Sequence, residues 1–269
     1  MSLKKKLMKS LVKKILNSKI SILVRNTFNF KPVYLRYIQK NYPITISDSF
    51  LWRTDNGYKT KFKYSDLLTL FYNIKNSSVE LHFYSKDNKL LKIKKINNLN
   101  ISNELEITKE FLNNNEDYGV FYIYHFIKNE DFSLIESKNV LSNRCYLGYS
   151  HNNSLYSFVH GNTLARYTGL NDNNYKKIST DIIKMSLLKN QNYTIQKYFD
   201  KFDKNELFFT NSTSKLLKFS LENQNYQLLP GCTTLIKTKN KIINIKSNCL
   251  FLRPTVFSYR GKFFDVHHS

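Results

Sequence analysis

The chain has 269 residues, of which 41% are hydrophobic and 15% aromatic, so it can bury a large core and is not of disordered composition. Its formal net charge is +22, from 42 Lys and Arg against 20 Asp and Glu. The three cysteines lack metal-type spacing and indicate reduced thiols in the cytoplasm. No segment reaches the roughly 18 consecutive apolar residues of a membrane span, and no signal-peptide apolar region with a cleavage site is expected.

The positive charge is concentrated at the N-terminus. Residues 1–47 carry nine lysines, two arginines and no carboxylate, which supplies +11 of the net charge. The remaining +11 is spread over residues 48–269, where Lys, Asn, Ile, Phe and Tyr are abundant and alanine occurs once. Those five residues have AT-rich codons, so genome composition explains much of the lysine excess there. The N-terminal lysines require an explanation of their own.

Residues 1–25 are predicted to form a cationic amphipathic helix. Their apolar residues recur with helical spacing between lysines, which is typical of a helix lying on an anionic bilayer. The predicted membrane-binding residues are Lys4, Lys5, Lys6, Lys9, Lys13 and Lys14. Residues 1–24 look like the N-termini of many bacterial cell-surface polysaccharide enzymes, without identifying a family. We therefore expect a protein peripheral to the inner face of the cytoplasmic membrane.

Beyond an extended stretch at 28–47, the chain is patterned mainly as strands. Residues 58–64 alternate aromatic residues or threonine with lysines, which predicts a half-buried strand with a solvated lysine face. Residues 66–74 suit a short helix, 79–96 a hairpin, and 118–127 a central strand that is almost entirely apolar or aromatic.

The second half of the chain continues this pattern. Two short strands at 144–150 and 154–160 are joined by a His-Asn-Asn turn, and strands return in the last 65 residues. Residues 175–202 are ambiguous, because their isoleucines and leucines have helical spacing. The predicted fold is mainly β: an antiparallel β-sandwich or jelly-roll-like domain over residues 28–269, with the N-terminal helix and one or two short helices. A sub-boundary is weakly marked near residue 170.

Common catalytic and nucleotide-binding motifs are absent from the sequence. It contains no P-loop, no G-x-G-x-x-G after a strand, no G-x-S-x-G elbow and no H-E-x-x-H. The six histidines include no H-x-H pair of the kind that jelly-roll metal sites use, so we expect neither a metal site nor a cofactor. No carboxylate pair stands out for glycoside hydrolysis.

The best candidate site is the segment 143–167, which combines tyrosines with Arg, His and Asn. Aromatic faces together with such polar groups can hold a polyol or an anionic sugar by stacking and hydrogen bonding. Its candidate ligand-binding residues are Arg144, Tyr146, His151, Tyr156, His160, Asn162 and Arg166. The alternative interpretation is that the tyrosines serve only as strand formers.

Trp52 and Arg53 are added to the candidate ligand-binding residues. Trp52 is the only tryptophan and adjoins one of seven arginines. Such a pair can line a cleft or fix a loop to the core by stacking. The arginines at 253 and 260 are likewise candidates to pair with Asp265 or with a ligand anion.

These observations predict a peripheral membrane protein that binds or processes a glycan or sugar-linked substrate in cell-surface polysaccharide biosynthesis. Whether it is an enzyme stays open. One alternative is a non-enzymatic interaction module whose N-terminal helix docks on a partner or forms a homo-oligomer. Another is nucleic-acid binding through basic residues interleaved with aromatics, which the absence of any RNA-binding signature disfavours.

Overall fold

The structure is a computed structural model, and most of its β-rich part is described. The described residues are 3–16, 18–27, 42–128, 131, 134–136, 139–162, 164–170, 178–180, 182, 183, 185, 190–196, 202–249 and 252–268. Residues 28–41, which form most of the predicted extended stretch at 28–47, lie outside this set. The helically spaced segment 175–202 also lies largely outside it.

Two helices occupy the N-terminus where the sequence predicted one. Helix α1 runs over Leu3–Leu16 and helix α2 over Lys19–Thr27. Ser18 begins α2, because its Oγ accepts a hydrogen bond from the Ser21 backbone N–H at 3.2 Å. Neither helix in the described part of the chain is long and apolar enough to cross a bilayer.

The rest of the described chain is mainly strand, arranged in antiparallel sheets that pack together, which confirms the predicted β-sandwich class. The strands are β1 (Ile44–Asp48), β2 (Phe50–Arg53), β3 (Tyr58–Ser65), β4 (Ser78–Ser85), β5 (Leu90–Asn97), β6 (Ser102–Ile107), β7 (Tyr118–Phe126), β8 (Val140–Asn143), β9 (Tyr146–His151), β10 (Ser157–His160), β11 (Leu164–Gly169), β12 (Gln191–Gln196), β13 (Lys204–Thr210), β14 (Leu217–Leu221), β15 (Gln224–Leu228), β16 (Thr233–Thr238), β17 (Ile242–Ser247), β18 (Thr255–Arg260) and β19 (Phe263–His268).

The described strands form five sheets. Their orders are β11-β1-β8, β10-β9-β3-β6, β2-β7-β4-β5, β12-β17-β14-β15 and β16-β13-β18-β19. Strand β1 pairs with β8 in parallel, with Ser47 opposite Asn143, and with β11 in antiparallel fashion. This parallel pair brings the C-terminal ends of β1 and β8 to the same edge.

The strand at 58–64, the short helix at 66–74 and the hairpin at 79–96 that the sequence predicted are all present, and the local sequence accounts for them. In β3 the aromatic residues and Thr60 face inward while the lysines face solvent or the sheet margin. The short helix α3 (Leu67–Tyr72) starts at Asp66, whose Oδ1 accepts hydrogen bonds from the N–H groups of Leu68 and Thr69. The predicted hairpin is formed by β4 and β5, with its turn at residues 86–89.

The sheet β16-β13-β18-β19, called here the middle sheet, contributes to two hydrophobic cores. Phe208 and Phe257 join the aromatic core formed with Phe50, Phe62 and Phe121. The neighbouring side chains on the other face join a second, mainly aliphatic core. They include Leu207, Phe209, Ile236 and Val256. Because successive strand residues point to opposite faces, one sheet supplies both cores.

Arg53 links β2 to the middle sheet through a buried ion network. Its Nε and Nη2 donate to the two carboxylate oxygens of Asp55 at 2.7 and 3.1 Å. Its Nη1 lies 2.8 Å from Glu206 Oε2 and donates to the Tyr259 hydroxyl at 2.9 Å. The guanidinium carbon also lies 3.7 Å from the centre of the Tyr58 ring. The buried guanidinium is therefore compensated by two carboxylates, those of Asp55 and Glu206.

The same network sets the charge state of Glu206. Burial would raise the pKa of this carboxyl, but Arg53, the Tyr259 hydroxyl and Lys204 lower it to about 2. A carboxyl whose folded-state pKa lies below its ordinary value of 4.5 stabilises the fold above that value. This contribution is lost as the pH falls towards 2.

Replacing Arg53 with Met removes the cation and leaves the carboxylates of Asp55 and Glu206 without it. We expect the free energy of unfolding at pH 7 to fall by about 3–5 kcal/mol, because an uncompensated charge remains buried. Lys61→Met is the matched control, since Lys61 pairs with Glu104 at 3.2 Å on the solvated face of β3. The control is expected to lose less than about 1 kcal/mol. Urea denaturation measures both; equal losses contradict a special role for the buried network.

Candidate functional site

The ends of several strands converge on one charged cluster. Asp48 ends β1, His160 ends β10, His268 ends β19, and Arg144 directly follows β8. We call these four residues the Asp48 cluster. Because β1 and β8 run in parallel with Ser47 opposite Asn143, the following residues, Asp48 and Arg144, lie side by side.

A bulge and a glycine place Asp48 inside this cluster. The register between β1 and β11 shifts between Ser47 and Asp48, and such a bulge re-aims the side chain that follows it. Gly161 packs so closely that a Cβ there would stand 2.6 Å from the Asp48 Cβ and 2.5 Å from the Phe50 ring. Only glycine therefore fits against the buried carboxyl.

Asp48 is the buried centre of the cluster and Arg144 its exposed edge. Arg144 Nε lies 3.5 Å from Asp48 Oδ2, and the arginine side chain is 59% exposed whereas the carboxyl is fully buried. Among the described residues, neither carboxylate oxygen of Asp48 accepts a well-aligned hydrogen bond. The buried Asp48 thus contacts the Arg144 guanidinium from the interior of the protein. The exposed side of the guanidinium keeps N–H donors directed towards solvent.

The two histidines of the cluster lie against each other. His268 Nε2 donates to the His160 carbonyl oxygen at 2.6 Å and lies 3.1 Å from His160 Nδ1. Burial, followed by the neighbouring His160, lowers the pKa of His268 to about 4. His268 is therefore neutral at pH 7 and can be positioned without adding a charge.

Burial raises the pKa of Asp48 to about 6, against the lowering effect of Arg144 and His160. This shift makes Asp48 the candidate for proton transfer in the cluster, because a carboxyl with a pKa near neutrality exchanges protons readily at physiological pH. The carboxyl oxygens are enclosed, however, so in this conformation Arg144 and His160 make up the accessible part of the cluster.

An exposed aromatic surface adjoins the cluster on the outer face of the β10-β9-β3-β6 sheet. Tyr146 lies directly opposite His160, and Phe158 lies over Gly148, where no side chain obstructs its ring. Tyr156 lies 6.0 Å from Phe158, measured between ring centres. We call Tyr146, Tyr156 and Phe158 the aromatic face.

Lysines border this face. Lys61 Nζ lies 5.0 Å from the centre of the Tyr156 ring, and Lys63 Nζ lies 5.2 Å from that of Phe158. The Tyr156 hydroxyl donates to Glu106 at 2.6 Å, which fixes its ring. A flat set of partly exposed rings with flanking amines can stack on a sugar ring and hydrogen-bond to its hydroxyls.

The structure brings together four of the candidate residues of segment 143–167. Arg144, Tyr146 and His160 line the cluster and its margin, and Tyr156 belongs to the aromatic face. Asn162 lies two residues beyond His160, where its N–H donates to the Ser49 carbonyl and its amide to the Arg253 carbonyl. It connects the cluster to the chain before β18.

The other candidates lie elsewhere. Trp52 is fully buried, with its indole N–H donating to the Tyr84 carbonyl oxygen at 2.8 Å, and Arg53 occupies the buried network described above. These positions correspond to the structural alternative for the Trp–Arg pair. His151 lies at the opposite end of β9, 4.7 Å from the Tyr58 ring centre, and Arg166 is buried against β4 and β7. Ligand binding by these four stays a prediction.

Sequence reasoning missed Asp48, His268 and Phe158. Asp48 carried one signal: it is the first acidic residue of the chain. His268 gives no signal at the end of the sequence, but it ends β19 and is partly buried. Asp265 accepts a hydrogen bond from Ser157, which ties β19 to β10 and so positions His268.

The comparisons with known proteins add no assignment. No protein-family model matches the sequence, and no curated protein is significantly similar to it. Within the described residues, no three His, Cys, Asp or Glu side chains are grouped as metal ligands. Cys145, Cys232 and Cys249 form no disulfide.

Asp48→Asn tests the buried carboxyl through stability. A folded-state pKa of about 6, above the ordinary 3.8, means that the folded state binds more protons between these values, so this group's contribution to stability falls as the pH rises from 4 to 6. Asn is neutral throughout. We expect the variant to gain on the wild type with rising pH, by up to about 3 kcal/mol at pH 7.

Urea denaturation at pH 4.5, 5.5 and 7 measures this difference. Asp87→Asn, at an exposed turn position, controls for loss of a surface carboxylate. A difference between Asp48→Asn and the wild type that stays constant over this range contradicts a raised pKa for Asp48.

Proposed function

We propose that this protein is a peripheral membrane protein that binds a glycan or sugar-linked substrate in cell-surface polysaccharide biosynthesis. Helices α1 and α2 would hold it on an anionic membrane surface. The aromatic face and the Asp48 cluster would bind the sugar. The observation that carries the proposal is the combination, in one lysine-rich segment, of two short helices with exposed apolar side chains.

The exposed apolar side chains of α1 and α2 support membrane association. They are 43–76% exposed in the structure, although each helix has an amphipathic pattern. They comprise Met8, Leu11, Val12, Ile15, Leu16, Ile20, Leu23 and Val24. Inserting them into the acyl boundary of a bilayer would remove this area from water, while lysines contact anionic head groups. Lys14 is exposed; the side chains of Lys4, Lys5, Lys6, Lys9 and Lys13 lie outside the described set.

The aromatic face supports sugar binding. Tyr146 is 57% and Phe158 43% exposed, so both rings are available for stacking. Arg144, held by Asp48, leaves donors free for the hydroxyl or acidic groups of a sugar, and His160 adjoins Tyr146 across the hairpin. The enclosed position of Asp48 favours binding over proton transfer in this conformation, so the proposal is limited to binding.

Vesicle flotation tests the membrane part. We expect the full chain to float with vesicles containing about 30% phosphatidylglycerol and to lose affinity in 1 M salt, where the Debye length falls to about 3 Å. It should not float with purely zwitterionic vesicles. The double substitution Leu11→Glu and Ile15→Glu should abolish flotation, since it places two charges in the apolar stripe.

The matched control is the double substitution Leu155→Glu and Phe263→Glu. These residues are 92% and 79% exposed on the β-rich part of the protein, so the control adds the same charge away from the helices. It should float like the wild type. Equal flotation of the two double variants contradicts the proposal. A concentration-dependent mass that vanishes in the helix variant, without flotation of the wild type, would favour the docking alternative instead.

Glycan binding is tested on an array of neutral and acidic oligosaccharides. Tyr146→Ala is expected to weaken binding about tenfold, the equivalent of losing roughly 1.4 kcal/mol of stacking. Arg144→Ala should weaken binding of acidic glycans more than that of neutral ones. Leu155→Ala, another exposed position, is the control. Unchanged binding in both site variants, or no binding by the wild type, contradicts the sugar part.

A further inference from the structure

Arg166 is a second buried arginine, and its surroundings resemble those of Arg53 with one difference. It lies on β11, is 7% exposed, and its guanidinium carbon is 4.0 Å from the Tyr122 ring centre and 4.5 Å from that of Tyr84. Arg53 has equivalent ring contacts and, in addition, two carboxylates. No carboxylate among the described residues lies within ion-pair distance of Arg166.

The described residues satisfy only part of the hydrogen-bonding capacity of Arg166. Its Nη2 donates to Asn88 Oδ1 at 3.2 Å and the Tyr84 hydroxyl is a second polar partner, whereas a guanidinium has five N–H donors. Asn88 is fixed by its own amide, which donates to the Pro230 carbonyl oxygen at 3.2 Å. Arginine is almost never buried without a compensating partner, because ring contacts recover only part of the lost hydration.

Two neighbouring groups, Tyr122 and His82, indicate the chemistry of a ligand that would fit beside Arg166. The Tyr122 hydroxyl is buried and has no hydrogen-bond partner among the described residues. His82 is buried nearby and engaged with Glu80, 3.0 Å from its Nε2. Burial lowers the pKa of His82 against the raising effect of Glu80, and the charge of Arg166 lowers it further, so this ring adds no second cation to the site at pH 7. The unused groups are therefore N–H and O–H donors around one positive charge.

We propose that Arg166 and Tyr122 form a binding site for an oxyanion, a phosphate or a carboxylate. The anion would accept hydrogen bonds from the guanidinium and the Tyr122 hydroxyl and supply the negative charge that Arg166 lacks. Tyr84 and Asn88 are partly exposed whereas Tyr122 is fully buried, so the side of the β4–β5 turn is where the described part of the site reaches solvent. This site is separate from the aromatic face and does not depend on the proposed glycan binding.

The test is thermal unfolding of the full chain in potassium phosphate and in potassium acetate, each against potassium chloride at equal ionic strength and pH 7. At least one oxyanion should raise Tm of the wild type, by about 2–4 °C at roughly ten times its Kd. Comparing the two salts distinguishes phosphate from carboxylate as the preferred group.

Arg166→Met should abolish this shift and, in chloride, be at least as stable as the wild type, because an uncompensated buried charge is removed. Lys262→Met, at an exposed turn position outside both proposed sites, is the control and should keep the shift. Tyr122→Phe retains the ring but removes the unpartnered hydroxyl; it should fold normally and lose at least half of the shift.

The site would be overturned by no oxyanion shift in the wild type, by an undiminished shift in Tyr122→Phe, or by loss of the shift in Lys262→Met. A folded Arg166→Met that keeps the full shift would do so as well. If Arg166→Met does not fold, Tyr122→Phe decides the question.

Discussion

The ion network of Arg53 is the constraint that joins the aromatic core to the middle sheet, and the rest of the structure depends on it. A guanidinium between Asp55 and Glu206 ties β2 to β13, and Tyr259 extends the contact to β18. The surrounding rings of Tyr58, Phe208 and Phe257 exclude water, which strengthens each interaction and makes the loss of any member costly. The network thereby fixes how the aromatic core meets the middle sheet, and so where β19 and His268 lie relative to β10.

Two arginines with similar aromatic surroundings thus have different roles. Arg53 is surrounded by protein carboxylates and acts within the fold. Arg166 has rings, one amide and the Tyr84 hydroxyl, and no carboxylate pairs with it among the described residues. This contrast depends on partners and not on burial, since both side chains are almost fully enclosed. A buried arginine is therefore informative about function only after its counterions have been identified.

Alternation along the strands made the fold class predictable, because β3 and the β4–β5 hairpin each bury one face. The hairpin that places Tyr146 opposite His160 was also predictable, since two short strands flank a His-Asn-Asn turn. Asp48 was not, because a single carboxyl in a strand gives no periodic signal, and its neighbours depend on the parallel pairing of β1 with β8. The pairing of Arg53 with Glu206 was equally invisible, because it joins distant parts of the chain.

The middle sheet has a consequence for how the molecule unfolds. Leu207, Phe208 and Phe209 are consecutive, yet they are divided between two cores, so β13 has no face that tolerates water. Shifting this strand by one residue would exchange the contents of both cores at once. Neither core can therefore open along β13 without exposing the other, so we expect these two cores to unfold together.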